Sequence, residues 1–136
     1  MTELEIFSSN VIKTNKLGNL NIKTTIVFYD YPRCFICENN SKFYALLEMD
    51  TNDNGFGWNT CEVSLEDINK VNLGVNNVQS LFRNKKSYVI YFSKNDLIGD
   101  VKEVETFEGD NAIEGDLIVE GFCDMDETFD YRNLMV

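Results

Sequence analysis

The chain has 136 residues, a hydrophobic fraction of 43% and a net charge of −11, which suits one folded domain and excludes a disordered chain. It contains no histidine, which excludes every serine–histidine or cysteine–histidine nucleophile pair and the commonest zinc ligand. No apolar run approaches the roughly 20 residues that span a bilayer, and the acidic start is unlike a signal peptide. We therefore expect a cytoplasmic protein that does not bind membranes.

The first half of the chain predicts strands. Residues 4–7 form a weak strand pattern, and a turn follows at 17–19. The β-branched and aromatic run 22–31 predicts a second strand. Pro32 should bend this strand or place it at a sheet edge, because proline cannot donate to a strand ladder. Residues 33–38 are expected to continue extended.

A hairpin and a third strand follow. Residues 39–41 predict a turn and 42–50 the return strand, whose side chains alternate between two faces. One face carries Phe43, Ala45, Leu47 and Met49, and the other carries Tyr44, Leu46, Glu48 and Asp50. A further strand over 58–63 completes a three-stranded meander.

Two short helices are predicted next. Ser64 and Asp67 have the spacing of a capping box, and Leu65, Ile68 and Val71 recur behind them at helical spacing. Gly74 should end this helix. A second helix is expected to start at about Asn77, with an apolar stripe formed by Val78, Leu81 and Phe82.

The last part of the chain predicts more strands. Residues 86–93 are apolar on both faces and predict a central, fully covered strand. Residues 101–107 alternate with acids and predict a strand exposed on one side, and 116–123 predict another strand. Residues 124–136 are expected to be partly loose. The fold class predicted is α+β: one domain over 1–136, built from a curved, mostly antiparallel sheet with two short helices.

Residues 28–92 resemble a family of small bacterial domains. The residues that carry the resemblance are Tyr31-Pro32, the hairpin ending at Asp50, Trp58, the stretch from Ser64 to Gly74, and Leu81-Phe82. These are helix-capping and core positions. The resemblance therefore implies an α+β fold and carries no activity with it.

The excess of negative charge is confined to one part of the chain. Residues 1–95 hold ten acids and ten bases, whereas 96–136, here called the acidic segment, hold thirteen acids against Lys102 and Arg132. Charge of one sign in one place creates a local field that steers partners. The acids could instead only solvate one face, or converge on a divalent cation. Direct binding of nucleic acid is disfavoured, because phosphates would be repelled.

The cysteines and one loop offer weaker candidate sites. Cys34 and Cys37 form a C-x-x-C in a predicted strand, where residues three apart point to opposite faces, and Cys61 and Cys123 stand alone. We expect buried thiols and no metal site. Residues 50–55 match the first half of an EF-hand loop, but Cys61 occupies the position of the bidentate carboxylate.

The sequence favours a non-catalytic acidic binding or inhibitor protein, of the phage anti-defence or toxin-immunity type. Its partner would be basic, such as a nuclease, toxin or defence complex, and no catalytic residue, metal or cofactor is expected. The docking residues predicted, in the densest stretch of acids, are Asp116, Glu120, Asp124, Asp126, Glu127 and Asp130. Glu120 is also the carboxyl nearest an apolar setting, although we expect it to face solvent. The alternative is a sensor or enzyme that binds a small molecule or metal on an aromatic-lined sheet face, formed by Tyr29, Tyr44, Trp58, Tyr88 and Tyr91.

Overall fold

A computed structural model describes residues 2–29, 31–49, 54–76, 78–82 and 86–104, with side chains given except at 27–29, 31, 32 and 79. Within these residues the chain is mostly sheet, with two α-helices and one 3₁₀ helix. In chain order the elements are α1 (Glu3–Ser9), β1 (Val11–Lys13), β2 (Asn19–Tyr29), β3 (Tyr31–Asn39), β4 (Lys42–Glu48), β5 (Gly55–Val63), α2 (Leu65–Asn72), the 3₁₀ helix (Val78–Phe82), β6 (Ser87–Ser93) and β7 (Asp100–Val104).

The seven strands form one curled antiparallel sheet in sequence order, β1 to β7. Three register shifts between β2 and β3 bend the sheet, because each extra residue increases the local twist. The curl brings the two edges together at a parallel bridge between Thr14 and Gly99. There the Gly99 amide donates to the Lys13 carbonyl at 2.7 Å, and the Asn15 amide donates to the Gly99 carbonyl at 3.0 Å.

Apolar side chains are buried on both faces of the sheet. One cluster, the inner core, draws on all seven strands and therefore lies inside the curl; Ile6 and Phe7 of α1 belong to it. The other cluster, the outer core, draws on β2 to β5 and is covered by α2 and the 3₁₀ helix. Strands buried on both faces explain why the sequence has few clean alternations of apolar and polar residues.

Several predictions about local structure are confirmed. The return strand is β4, and its alternation is as expected: Tyr44 and Leu46 lie in the inner core, and Ala45 and Leu47 in the outer core. The capping box of α2 is formed in both directions, with the Asp67 amide donating to Ser64 Oγ at 3.0 Å.

The prediction of a strand at 4–7 is wrong, because these residues belong to α1. Thr2 caps this helix by accepting a hydrogen bond from the Glu5 amide at 3.2 Å, and the Thr2 hydroxyl donates to the Glu5 carboxylate. Asn10 ends the helix in the left-handed conformation, with φ of 61°. The T-x-x-E spacing and the asparagine are the sequence signals of this helix.

Other predictions need correction. The run from 22 to 38 is not one strand, because the chain reverses after Tyr29 and β2 and β3 pair antiparallel. Pro32 lies opposite Phe28 of β2, and the pairing of β3 with β4 begins only at Cys34. Strand β6 has a neighbour on each side but is not fully covered, since Tyr88, Val89 and Tyr91 are only half-buried. Leu65 is exposed instead of joining the apolar face of α2. The strand predicted at 116–123 lies outside the described residues.

Among the described residues, each helix falls short of the length and apolar character needed to cross a bilayer.

Candidate functional site

The predicted docking residues lie outside the part of the chain that the structure describes. These are Asp116, Glu120, Asp124, Asp126, Glu127 and Asp130. Of the acidic segment, only residues 96–104 are described. The sequence places ten acids against Arg132 in 105–136, so that most of the excess charge, a net of −9, follows the last described strand.

The described acids of this segment are engaged in local structure. Asp96 accepts a hydrogen bond from the Ser93 amide at 2.8 Å in the turn before β7. Asp100 accepts one from the Asn15 side chain at 2.9 Å, where the sheet edges meet. Glu103 forms an exposed ion pair of 3.8 Å with Lys86. These three acids do not converge on one point, and they stabilise the turn and the closure of the sheet.

The described cysteines, Cys34, Cys37 and Cys61, are buried thiols, as expected. Cys37 lies in the inner core, whereas Cys34 and Cys61 lie in the outer core, so the C-x-x-C pair is split between the two faces of the sheet. Burial raises the pKa of the Cys37 thiol well above its ordinary value, which makes it a poor nucleophile. Cys123 lies outside the described residues.

The aromatic residues of the alternative function do not share one face. Trp58 is fully buried in the inner core, and Tyr44 and Tyr88 lie on the same side of the sheet nearer its other end. Tyr91 lies on the opposite side, over Gly55. The Tyr29 side chain is not among those described. The four described rings therefore form core packing and surface contacts and not a single aromatic lining.

The EF-hand-like loop lies mostly outside the described residues, which resume at Asn54. Gly55 already begins β5, and Cys61 is buried within that strand. Glu62 forms an ion pair with Lys42 at 3.5 Å. In the parts of the chain that are described, no group of three or more cysteines or acids could hold a metal ion.

The structure brings together a charged cluster that the sequence did not single out. Arg33 of β3 and Glu48 of β4 face the inside of the curl, and the guanidinium lies 2.5 Å from the carboxylate. Their side chains are only 21% and 11% exposed. Glu3, from the first turn of α1, is close enough to both for their charges to act on it. We call this region, with the neighbouring Trp58, the α1 end of the sheet.

Trp58 is the buried aromatic residue at the α1 end. It stands directly across from Glu48 in the β4–β5 ladder, so the two side chains are neighbours on one face. The rings of Phe7, Phe35, Phe56 and Phe92 surround its indole at centroid distances of 5.7–6.2 Å. The indole Nε1 is buried and has no hydrogen-bond partner among the described residues. A buried polar group without a partner is uncommon, and Asn10 Oδ1 and Thr24 Oγ1 are two further examples among the described residues.

Burial raises the pKa of Glu3 from 4.5 to about 7, with a further rise from the charge of Glu48 and an opposing effect from Arg33. Such a carboxyl exchanges its proton near neutral pH, as a general acid or base would. Among the described side chains this cluster holds two carboxyls and one guanidinium, and the chemistry that the raised pKa of Glu3 supports is proton exchange.

The opposite end of the sheet carries exposed ion pairs. Lys42–Glu62 and Lys86–Glu103 lie there with distances of 3.5 and 3.8 Å. Partial burial, and next the charge of Glu62, raise the pKa of Tyr44. These groups remain in contact with water and form a solvated rim.

No family model, curated protein sequence or solved structure matches this chain. The resemblance of residues 28–92 to small bacterial domains accordingly stays a prediction.

Proposed function

We propose that the protein is a non-catalytic binding protein whose acidic segment docks on a basic surface of a partner protein. One observation carries the proposal: residues 1–95 are neutral in sum, and residues 96–136 hold the whole net charge of −11. Because opposite fields attract over about 8–10 Å at physiological ionic strength, charge confined to one segment speeds association with a cationic surface.

The described part of the chain supports this division of roles. Its acids serve the fold: Asp67 caps α2, Asp96 and Asp100 hold the turn and the closure of the sheet, and Glu48 is paired with Arg33. These acids therefore serve the fold, and the sequence leaves the charge excess of 105–136 as the candidate for docking.

The class of partner follows from its chemistry. A surface that attracts ten acids within 105–136 is rich in lysine and arginine, which is typical of the nucleic-acid groove of a nuclease. In a bacterial or phage setting, an immunity protein for a toxin or an inhibitor of a defence complex would occupy such a groove in the cytoplasm. A single α+β domain with an acidic C-terminal third suits that role.

The test is affinity capture followed by a measured interaction. The full chain is immobilised, a protein is captured from a lysate of the source organism, and the purified partner is titrated against the chain. Reversing Asp124, Asp126 and Glu127 to lysine should weaken binding by at least about tenfold, and salt should weaken the native interaction.

A matched control separates the place of the charge from its amount. Reversing Glu5, Glu38 and Glu66 to lysine changes the net charge equally but on the scaffold. This variant should bind within about threefold of the native chain, because the three residues lie outside the acidic segment and the contacts it removes, Glu5 with Thr2 and Glu66 with Lys70, are exposed ones. Binding that is indifferent to salt and to the first triple variant would show that the acidic segment only solvates the protein.

A further inference from the structure

The EF-hand-like loop ends in an asparagine–glycine pair, Asn54-Gly55, the only such pair in the chain. Asn54 lies in an exposed turn, and Gly55 is the first residue of β5. The carboxamide of an asparagine can be attacked by the main-chain nitrogen of the residue that follows it. Glycine favours this attack, because it has no side chain to hinder it and restricts the main chain least.

Packing against β6 requires glycine at position 55. A Cβ atom built on Gly55 would lie 2.2 Å from the Phe92 carbonyl oxygen and 2.5 Å from the Tyr91 hydroxyl oxygen. The Phe92 oxygen belongs to the main chain of β6, which pairs with β5, so it cannot move aside without disturbing the ladder. The fold therefore keeps, beside an exposed Asn54, the residue that leaves its carboxamide most open to attack.

The main-chain hydrogen bonds direct the Gly55 nitrogen away from β6. On the β6 side, the Asn54 carbonyl accepts a hydrogen bond from the Lys94 amide at 2.8 Å. On the β4 side, the Gly57 carbonyl accepts one from the Met49 amide at 3.1 Å. Successive residues of a paired strand direct their amides and carbonyls to alternate sides, so Gly55 faces the β4 side, as Gly57 does. The attacking nitrogen is therefore not held by β6.

We propose that Asn54-Gly55 is a site of spontaneous modification in the folded protein, where the asparagine becomes aspartate or isoaspartate. The Gly55 nitrogen forms a bond to Asn54 Cγ, and ammonia leaves with the proton that this nitrogen gives up. The product is a cyclic imide. Water then opens the ring at Cγ to give aspartate, or at the main-chain carbonyl carbon to give isoaspartate. The chain and water are the only reactants, and nothing is oxidised or reduced.

Either product adds one negative charge to a chain whose net charge is −11, and it places this charge on the part that is neutral in sum. Isoaspartate also reroutes the main chain through the former side chain of Asn54. The carbonyl that accepts from the Lys94 amide then no longer belongs to the main chain, so the start of the β5–β6 pairing changes. The proposal does not depend on what the acidic segment binds.

The test is to incubate the full chain in mildly alkaline buffer and to locate the products by peptide mass spectrometry. Asn54 should be the first asparagine to convert, and isoelectric focusing should show the added negative charge. The folded chain should convert Asn54 at a rate within about tenfold of that in the urea-unfolded chain, because the attack needs no global unfolding.

Two variants make the result specific to Asn54. Asn54→Gln lengthens the side chain and requires a larger ring, so the gain of charge should slow by at least about tenfold. Asn95 is the matched control, because it also lies in an exposed turn, but the next amide, of Asp96, donates to the Ser93 carbonyl at 2.9 Å. Asn95→Gln should leave the native rate unchanged.

Three results would each overturn the proposal. The first is conversion of another asparagine before Asn54. The second is a folded chain that converts Asn54 more than about tenfold more slowly than the unfolded chain, since β5 would then hold the pair in an unreactive geometry. The third is an Asn54→Gln variant that gains charge at the native rate.

Discussion

The two ends of the curled sheet carry similar ion pairs in different surroundings. At the α1 end, Arg33 and Glu48 lie 2.5 Å apart with side chains 21% and 11% exposed. At the opposite end, Lys42 and Glu62 lie 3.5 Å apart with side chains 63% and 33% exposed. Among the described residues, α1 packs at the first of these ends, where the Phe7 ring lies against Trp58, the neighbour of Glu48 across the ladder.

This difference shows that the number of ion pairs does not indicate how much each pair contributes to stability. An exposed pair exchanges hydration for an attraction of nearly equal size and contributes about 0–1 kcal/mol. A pair that has lost most of its hydration makes each partner dependent on the other. The sensitivity of the protein to mutation and to pH should therefore be concentrated at the α1 end.

The largest expected effect comes from truncating the aromatic ring by which α1 packs against the sheet. Phe7→Ala deletes a fully buried ring that contacts Phe35 and Trp58, and it should lower the free energy of unfolding by about 3–5 kcal/mol. Urea denaturation measures the change. Leu4→Ala is the matched control, because Leu4 lies on the same helix but is 43% exposed, and it should cost less than about 1 kcal/mol. Equal effects of the two variants would mean that packing of Phe7 against Phe35 and Trp58 does not hold α1 on the sheet.

The second prediction tests the buried pair. Glu48→Gln removes the carboxylate that contacts the poorly hydrated Arg33 guanidinium, and it should cost about 2 kcal/mol in the free energy of unfolding, less than for a fully buried pair. The double variant Arg33→Met, Glu48→Leu should recover most of this loss, because it removes both charges. If the double variant is as unstable as the single one, lost packing and not an uncompensated charge is responsible.

The parts of the fold that the sequence predicted have local signals. The capping box at Ser64 and Asp67 and the alternation from Phe43 to Glu48 each lie within a few residues. The closure of the sheet has no such signal, since Asn15 and Asp100 bond across 85 residues of sequence. The sequence pattern at 4–7 indicates a strand and not helix α1, although T-x-x-E is present. The reason is that a seven-residue helix depends on packing more than on its own propensity.

The charged cluster could be predicted only in part. Glu48 continues the face of β4 that carries Tyr44 and Leu46, so an acid at that position pointed towards the inner core. Nothing in the sequence connects it with Glu3, because the charge of Glu48 acts on Glu3 only once α1 packs at this end of the sheet. Arg33 follows Pro32 and was expected simply to be extended.

The third prediction concerns pH and global stability. Because folding raises the pKa of Glu3 from 4.5 to about 7, the folded chain binds its proton more tightly. The stability from this group is therefore complete below about pH 4.5 and is lost as pH rises through 7. Allowing for the exposed part of the side chain, the loss should be about 1 kcal/mol. The difference in free energy of unfolding between the native chain and Glu3→Gln, measured across this range, isolates it from other carboxyls.

The smallest expected effect lies at the opposite end. Glu62→Gln breaks the exposed pair with Lys42 and should change the free energy of unfolding by no more than about 0.5 kcal/mol. The Debye length falls to about 3 Å in 1 M salt, so even this change should disappear there, whereas the cost of Glu48→Gln should persist because water and ions reach its surroundings poorly. If Glu62→Gln costs as much as Glu48→Gln and both effects vanish in salt, the two ends are equally hydrated and α1 does not set them apart.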